Sequence, residues 1–430
     1  MKHKKGCFDM EEYWQRESTK ILKQLEFAKN NVPFYKEKLK DIDIRNIKNY
    51  ADFNRFVPTI DQEEVIENPE LFKSNCPIEF VRHSSSTTGN PKKVFLTKDD
   101  IRQWIVNGRL TITPYYKPKM VVGHSKRTDE KYYLSALDET VKDTGGSVET
   151  FDPRDILEII ECIKKSDLIL DYSEMICYIS EQIKDLDINL AKSIILSHAG
   201  NKLTEEDVQR IKTNFLKIGV KVKIYGDYST TEIGPIGVSH ENEINSFRIV
   251  YRDNAFIEIV NPETNEPSED GEIAVTALNR NGSVFIRYKV GDLGSINFKN
   301  EQPYFNFKGR KSGIKIASVF FSPQQMFQTT RQFLKRPVFC NIEITNKDHL
   351  GVINSKIVTE DELDIKQQKK LREHLLRDLE FIDDIGSTVE FNIYFENRMF
   401  TEKEIRKGFV FRCRDILQKE LNPLVLKPVE

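Results

Sequence analysis

Five consecutive hydroxyl side chains, Ser84, Ser85, Ser86, Thr87 and Thr88, run directly into Gly89-Asn90-Pro91-Lys92-Lys93. A packed core has no use for so many small hydroxyls in a row, but a polyphosphate does. Hydroxyls and loop N–H groups donate to its oxygens, Gly89 lets the backbone approach, and Lys92 or Lys93 supplies positive charge. The plain alternative is a flexible Ser/Thr loop. The segment is not a P-loop, because no Gly-x4-Gly-Lys-Ser/Thr is present in the chain.

Three later segments carry related chemistry. In Tyr228-Ser229-Thr230-Thr231-Glu232, Tyr228 offers a flat face for a base, Thr231 a hydroxyl, and Glu232 a hard carboxylate suited to Mg²⁺ shared with phosphate oxygens. The same residues read equally well as a polar turn with one surface glutamate. In Ile286-Arg287-Tyr288-Lys289-Val290-Gly291-Asp292-Leu293, a carboxylate just after glycine at a strand end can accept both hydroxyls of a ribose. A β-turn aspartate is the common alternative. Finally, Phe307-Lys308-Gly309-Arg310-Lys311-Ser312-Gly313 suits an interdomain hinge at a phosphate site, and equally a basic hairpin turn. The order of the four segments is stronger evidence than any one of them.

The elements that would position these segments fall into two textures. From about 78 to 225, apolar strand candidates (120–122, 168–170, 193–196, 220–224) alternate with amphipathic helices (156–164, 175–186, 205–217), which predicts a largely parallel sheet covered by helices. Glu232 and its neighbours then lie just past a strand, where the carboxyl ends of a parallel sheet form a ligand crevice. After 240, short alternating segments at 247–251, 256–260, 271–278, 284–288 and 304–307 predict antiparallel sheet or a small barrel. Beyond about 312, strands over 338–345, 352–358 and 389–395 and a helix over 360–379 predict a compact α+β domain. Residues 9–40 are helical by spacing, with Pro33 interrupting. The expected fold is therefore α/β, with a large N-terminal domain, mainly a parallel helix-covered sheet plus a small antiparallel or barrel part, over 1–309. A small α+β domain over 310–430 follows.

Composition narrows the function classes. A formal charge of −2 gives no basic surface for nucleic acid. No apolar run long enough to span a membrane occurs. The basic start, Met1-Lys2-His3-Lys4-Lys5, leads into acidic residues rather than an apolar segment, so no secretory signal is expected. The six cysteines are scattered without Cys-x-x-Cys, which fits reduced thiols in a cytoplasmic protein.

Taken in order, the segments resemble those of the adenylate-forming (acyl/aryl-CoA synthetase) superfamily. The likeness is greatest to its phenylacetate–CoA ligase branch, which includes the capsule-type and coenzyme F390 synthetase relatives, and it extends over nearly the whole chain. Asn31-Val32-Pro33-Phe34-Tyr35 matches the opening of that branch. Residues 84–92 match its Ser-Ser-Gly-Thr-Thr-Gly-x-Pro-Lys phosphate loop, and Ala199-Gly200-Asn201-Lys202-Leu203 falls where it has an adenine-lining Gly-Gly-Glu-Pro-Leu. Residues 228–235 and 286–293 match its Tyr-Gly-x-Ser/Thr-Glu and Ile-Arg-Tyr-Arg-Thr-Gly-Asp-Leu motifs, and Gly309-Arg310 its hinge.

The resemblance implies a two-step reaction: a carboxylic acid attacks the α-phosphorus of MgATP to give an acyl-adenylate, and a thiol, usually of CoA, then takes the acyl group. By the same resemblance, Ser84 to Gly89 and Lys92 hold the phosphates, and Glu232 binds Mg²⁺ with Thr87 or Thr88 nearby. Ala199, Gly200 and Asn201 line the adenine, Tyr228 stacks on it beside Ser229, Thr230 and Thr231, and Asp292 and Arg310 hold the ribose. Lys407 is the candidate for the C-terminal catalytic lysine, with Glu232 and Thr231 the other catalytic candidates.

Four departures stand out. Ser86 replaces a family glycine, Asn201 a glutamate, and Ser312 the hinge aspartate, while Ser318 replaces a glycine downstream. The acid is open, with an arylacetate as the default. So is the acceptor: CoA comes first, and an amine, an alcohol or a carrier protein are the alternatives. A homodimer is one assembly open to the chain. A competing reading is a non-catalytic nucleotide-binding homologue, motivated by the altered loop and hinge. The retained Lys92, Glu232, Asp292 and Arg310 argue against it.

Overall fold

The strand Val220–Thr230 is where the two textures of the sequence meet. The computed structural model describes residues 9–83, 92–112, 119–126, 131–200, 202–241, 243–249, 254–311, 314–316, 319–347, 350–378, 389–401, 404–405 and 408–413. Residues Lys192 to His198 pair in parallel with Val220 to Gly226, and Asp227 to Thr230 then pair antiparallel with Val238 to Gly234. On one side of this strand the sheet continues through Lys192–Ala199, Leu168–Tyr172, Val121–Ser125 and Ser147–Phe151, all parallel. On the other it continues through Gly234–His240, Glu243–Ile249, Gln302–Arg310, Tyr288–Lys299, Asp270–Ala277 and Ala255–Val260, all antiparallel. The expected parallel sheet and the expected antiparallel part are thus halves of one 11-stranded sheet.

Helices cover the parallel half because their apolar positions recur at helical spacing. In Glu205–Lys217, Val208, Ile211 and Phe215 are buried, with Ile194, Leu196 and Ile224 in the same core cluster. Thr204 caps this helix in a reciprocal box with Asp207. Each buried Ile or Phe contributes roughly 1.5–3 kcal/mol and the cap about 1, so packing fixes the helix and the cap sets where it starts.

At the N-terminus, Met10–Asn31 is capped by Asp9 with Glu12 in a capping box, and it buries Tyr13, Trp14, Ile21 and Leu25. Pro33 sits at the first position of the next helix, Pro33–Lys38, where its missing N–H costs nothing.

Two sequence expectations shift. The segment 284–288 is not a strand: the strand starts at Tyr288 and runs to Lys299. Arg287 adopts left-handed backbone at φ 53°. Its guanidinium is buried against Glu258 at 2.6 Å and the Val57 carbonyl at 2.7 Å, so the preceding apolar run is core filling rather than ladder. The helix expected over 360–379 is Ile365–Asp378. Its start is set by Asp364 and Gln367, whose side chains each accept the other's backbone N–H, at 2.7 and 3.1 Å.

The C-terminal part is a four-stranded sheet in the order Val389–Asn397, Leu350–Thr359, Phe339–Lys347, Phe409–Cys413. Residues of the helices Pro323–Leu334 and Ile365–Asp378 share a core with it. It meets the large part through a buried ion pair, Arg331 Nη2 to Asp207 Oδ2 at 2.7 Å, and through Phe400 and Ile405, which share the core of the parallel half. No described helix is long and apolar enough to cross a membrane.

Candidate active site

Glu232 stands in the three-residue turn between Val220–Thr230 and Gly234–His240, at the carboxyl end of the parallel half. Thr230 Oγ1 accepts the N–H of Ile233 at 3.1 Å and braces the turn. Gly234 follows at φ 86°, against the Trp104 and Arg280 side chains, and a side chain there would be strained and crowded. The turn thereby points one buried carboxylate inward, with Glu232 only 5% exposed.

Lys92 meets that carboxylate. The strands Phe80–His83 and Lys93–Leu96 form an antiparallel pair, His83 opposite Lys93, and Lys92 stands directly before the second strand. Lys92 Nζ forms an ion pair with Glu232 Oε1. It also donates to Tyr288 Oη and to Gln62 Oε1, both at 3.1 Å. Tyr288 Oη donates to Glu232 Oε1 at 2.9 Å, closing the ring of contacts. Burial opposes the Glu232 charge, but the Lys92 charge and the hydrogen bonds from Lys92 and Tyr288 outweigh it, and the carboxyl is held below its ordinary range.

Asp292 arrives on the strand Tyr288–Lys299, whose first residue is Tyr288. Gly291 before it takes φ 78° with the Gln62 amide packed against its Cα, which restricts this position to glycine. Tyr228 Oη donates to Asp292 Oδ2 at 2.6 Å. The Tyr228 ring is 7% exposed and lies among Phe247, Phe305 and Phe307, with centroids 5.5, 4.7 and 5.9 Å away. Arg310 is the register partner of Asp292 across the ladder, which sets the two expected ribose residues side by side.

Ala199 ends its strand, and Gly200 turns away at φ 92° beside the Tyr172 ring. The Ala199 carbonyl accepts from Ser173 Oγ at 3.2 Å, and the same hydroxyl lies 2.9 Å from His198 Nδ1. Burial pushes His198 down to about 4, so its imidazole is neutral. Ser229 is exposed, and Thr230 and Thr231 are half-buried.

The expectations for Ser84, Ser85, Ser86, Thr87, Thr88, Gly89, Asn201, Ser312, Ser318 and Lys407, and for the Arg310 side chain, fall outside the described residues. Lys92, Glu232, Tyr228 and Asp292 come together in two linked pairs. Sequence reasoning missed Tyr288 and Gln62. Tyr288 sits inside a quoted motif but reads there as a strand aromatic, and Gln62 carries no local signal at all.

The donor set fits a hard divalent cation: Glu232 offers a buried anionic oxygen that an ammonium already faces. Glu232 thus places a carboxylate, Lys92 an ammonium and Asp292 a second carboxylate on neighbouring elements.

Comparison with known proteins gives relatives in sequence and in fold. No family model matches the chain. It is 24% identical over 370 residues to the phenylacetate–coenzyme A ligase of Escherichia coli strain K12, covering 77% of this chain and 79% of that one. It is 23% identical over 385 residues to the indoleacetate–lysine synthetase of Pseudomonas savastanoi, covering 83% and 87%. Among solved structures, 2-hydroxyisobutyryl-CoA ligase in its postadenylation state superposes with a TM-score of 0.66 at 14% identity, covering 94% of this chain and 89% of that one. The acyl acid amido synthetase AtGH3.15 superposes with a TM-score of 0.59 at 14% identity, covering 89% and 86%.

Proposed function

We propose that the chain is an adenylate-forming ligase of the phenylacetate–CoA ligase-like branch, as its likeness to two such relatives supports, and that it activates an arylacetate-type carboxylic acid and passes the acyl group first of all to CoA. The observation that carries the reading is the meeting of Lys92, Glu232 and Tyr288 at the point where the sheet changes from parallel to antiparallel. Open α/β sheets bind ligands outside the carboxyl ends of their strands, and the Glu232 turn lies at such an end.

In the first step the acid's carboxylate oxygen bonds to the α-phosphorus of ATP, and the bond to pyrophosphate breaks. Lys92, with the hydroxyls of Ser84 to Thr88 and the backbone at Gly89, holds the leaving phosphates. Asp292 and Arg310 hold the ribose, while Ala199, Gly200, Asn201 and Tyr228 close the adenine end. Glu232 and Thr88 would hold a Mg²⁺ ion, which would supply charge neutralisation at the phosphates. These residues position groups and balance charge where it develops.

In the second step the acceptor's sulfur or nitrogen bonds to the carbonyl carbon and AMP leaves. Residues 310–430 would form the mobile domain that alternates between the steps, bringing Lys407 to the first. An amine is the second acceptor reading. It is favoured because one relative is an indoleacetate–lysine synthetase and one structural neighbour an acyl acid amido synthetase. A carrier-protein thiol ranks third.

Supplying ATP, a panel of aryl, arylacetic and short aliphatic acids, and then CoA, lysine or a carrier protein separates the readings. A thioester with CoA is the expected product. Amide alone would overturn CoA as acceptor, and turnover with aliphatic acids alone would overturn the aryl class.

A further inference from the structure

Lys92 and Glu232, the two groups assigned to polyphosphate and cation, are bound to each other. Their contact is buried, with side-chain exposures of 14% and 6%, and it is tied on both sides. Tyr288 Oη bridges the pair, 3.1 Å from Lys92 and 2.9 Å from Glu232, and Gln62 Oε1 holds Lys92 from the other flank at 3.1 Å. Resting on the nucleotide-site reading above, we propose that this internal ion pair is exchanged on binding, and that Tyr288 and Gln62 are positioning residues that keep both charges in place during the exchange. A divalent cation takes Glu232 and frees Lys92 for phosphate. A polyphosphate takes Lys92 and frees Glu232 for the cation. Each ligand removes the obstacle to the other, so the two bind cooperatively, and the coupling is reciprocal.

The resting pair serves the empty site. A lone buried charge is costly, and the pairing of Lys92 with Glu232 offsets that cost in the empty site. Tyr288 suits the pivot because a hydroxyl both donates and accepts, so it can keep one contact with each group as they part. Gln62 reaches the site from the helix Gln62–Glu67, and the tight approach at Gly291 brings it against the Asp292 strand.

Binding measurements separate this from the site reading. Calorimetry with a non-hydrolysable ATP analogue and Mn²⁺, each alone and together, is done on the wild type, Lys92→Gln and Tyr288→Phe, with melting curves confirming the fold. In the wild type, Mn²⁺ should strengthen analogue binding by about tenfold or more, within the usual range of couplings. Lys92→Gln should weaken the analogue yet bind Mn²⁺ alone more tightly, by about threefold or more, a gain that a merely structural role would not give. Tyr288→Phe should keep both ligands but reduce the coupling factor at least threefold. Unchanged or weaker Mn²⁺ binding in Lys92→Gln overturns the exchange while leaving the nucleotide site intact. A wild type that binds neither analogue nor Mn²⁺ overturns the nucleotide site and the exchange with it.

Discussion

At the scale of single residues, the cleft depends on neighbours that share more than one task. Tyr228 packs among three phenylalanines and spends its hydroxyl on Asp292 at 2.6 Å. A hydrogen bond to a charged group contributes about 1.5–3 kcal/mol. Tyr228→Phe keeps the ring and releases Asp292, so the KM for ATP should rise by about tenfold or more while kcat changes far less. Steady-state kinetics at saturating acid checks this, and an unchanged KM would remove Tyr228 from the support of Asp292. Asp207 is shared in the same way. It caps its helix through Thr204 and pairs with Arg210 at 2.6 Å and Arg331 at 2.7 Å. These partners outweigh the burial that opposes its charge and hold its carboxyl below the ordinary range.

At the scale of elements, the carboxyl ends of the central strands collect polar groups that folding must bury. His198 is the clearest. Burial holds it at about 4 against 6.5 for the free imidazole, so the unfolded chain takes up a proton that the folded chain refuses. Stability is therefore complete above 6.5 and is lost as pH falls from 6.5 toward 4, by roughly 3 kcal/mol in all. Urea midpoints at pH 7 and pH 5 should show this drop in the wild type and a smaller one in His198→Asn; equal drops in both would place the proton elsewhere.

Much of this level is readable from the chain. The helix Glu205–Lys217 matches its expected span because stripe and cap agree. Lys92, Glu232 and Asp292 stand out through the order of the segments that carry them, since each segment alone also reads as a plain turn or loop. The rest depends on distant partners. Gln62 reaches the site through a left-handed glycine at 291, and Tyr288 faces the cleft only because Arg287 turns the backbone at φ 53°. Apolar alternation cannot separate core filling from ladder at 284–287. Nor does it reveal that Val220–Thr230 pairs in parallel at one end and antiparallel at the other.

At the scale of the whole molecule, the small C-terminal part is seated on the large one by the Asp207–Arg331 pair and by Phe400 and Ile405. Arg331→Met leaves Asp207 buried with Arg210 as its remaining close cation. The cost should be about 2 kcal/mol, below the roughly 3–5 of a fully uncompensated buried charge. Faster limited proteolysis near residues 310–320 should accompany it if seating rather than local folding is weakened, and an unchanged cleavage rate would deny the pair that role. The central claim concerns the large part: Glu232 and Lys92 form the charge centre of an acid-activating site. Carboxylate-dependent exchange of pyrophosphate into ATP tests it most directly, because that step needs no acceptor and no knowledge of the second reaction. Exchange driven by at least one acid of a broad panel, and lost by 100-fold or more in Glu232→Ala with its fold intact, is the predicted result (roughly 3 kcal/mol of transition-state stabilisation). Exchange that persists at the wild-type rate in Glu232→Ala, or no exchange with any acid from a wild type that binds ATP, would contradict it.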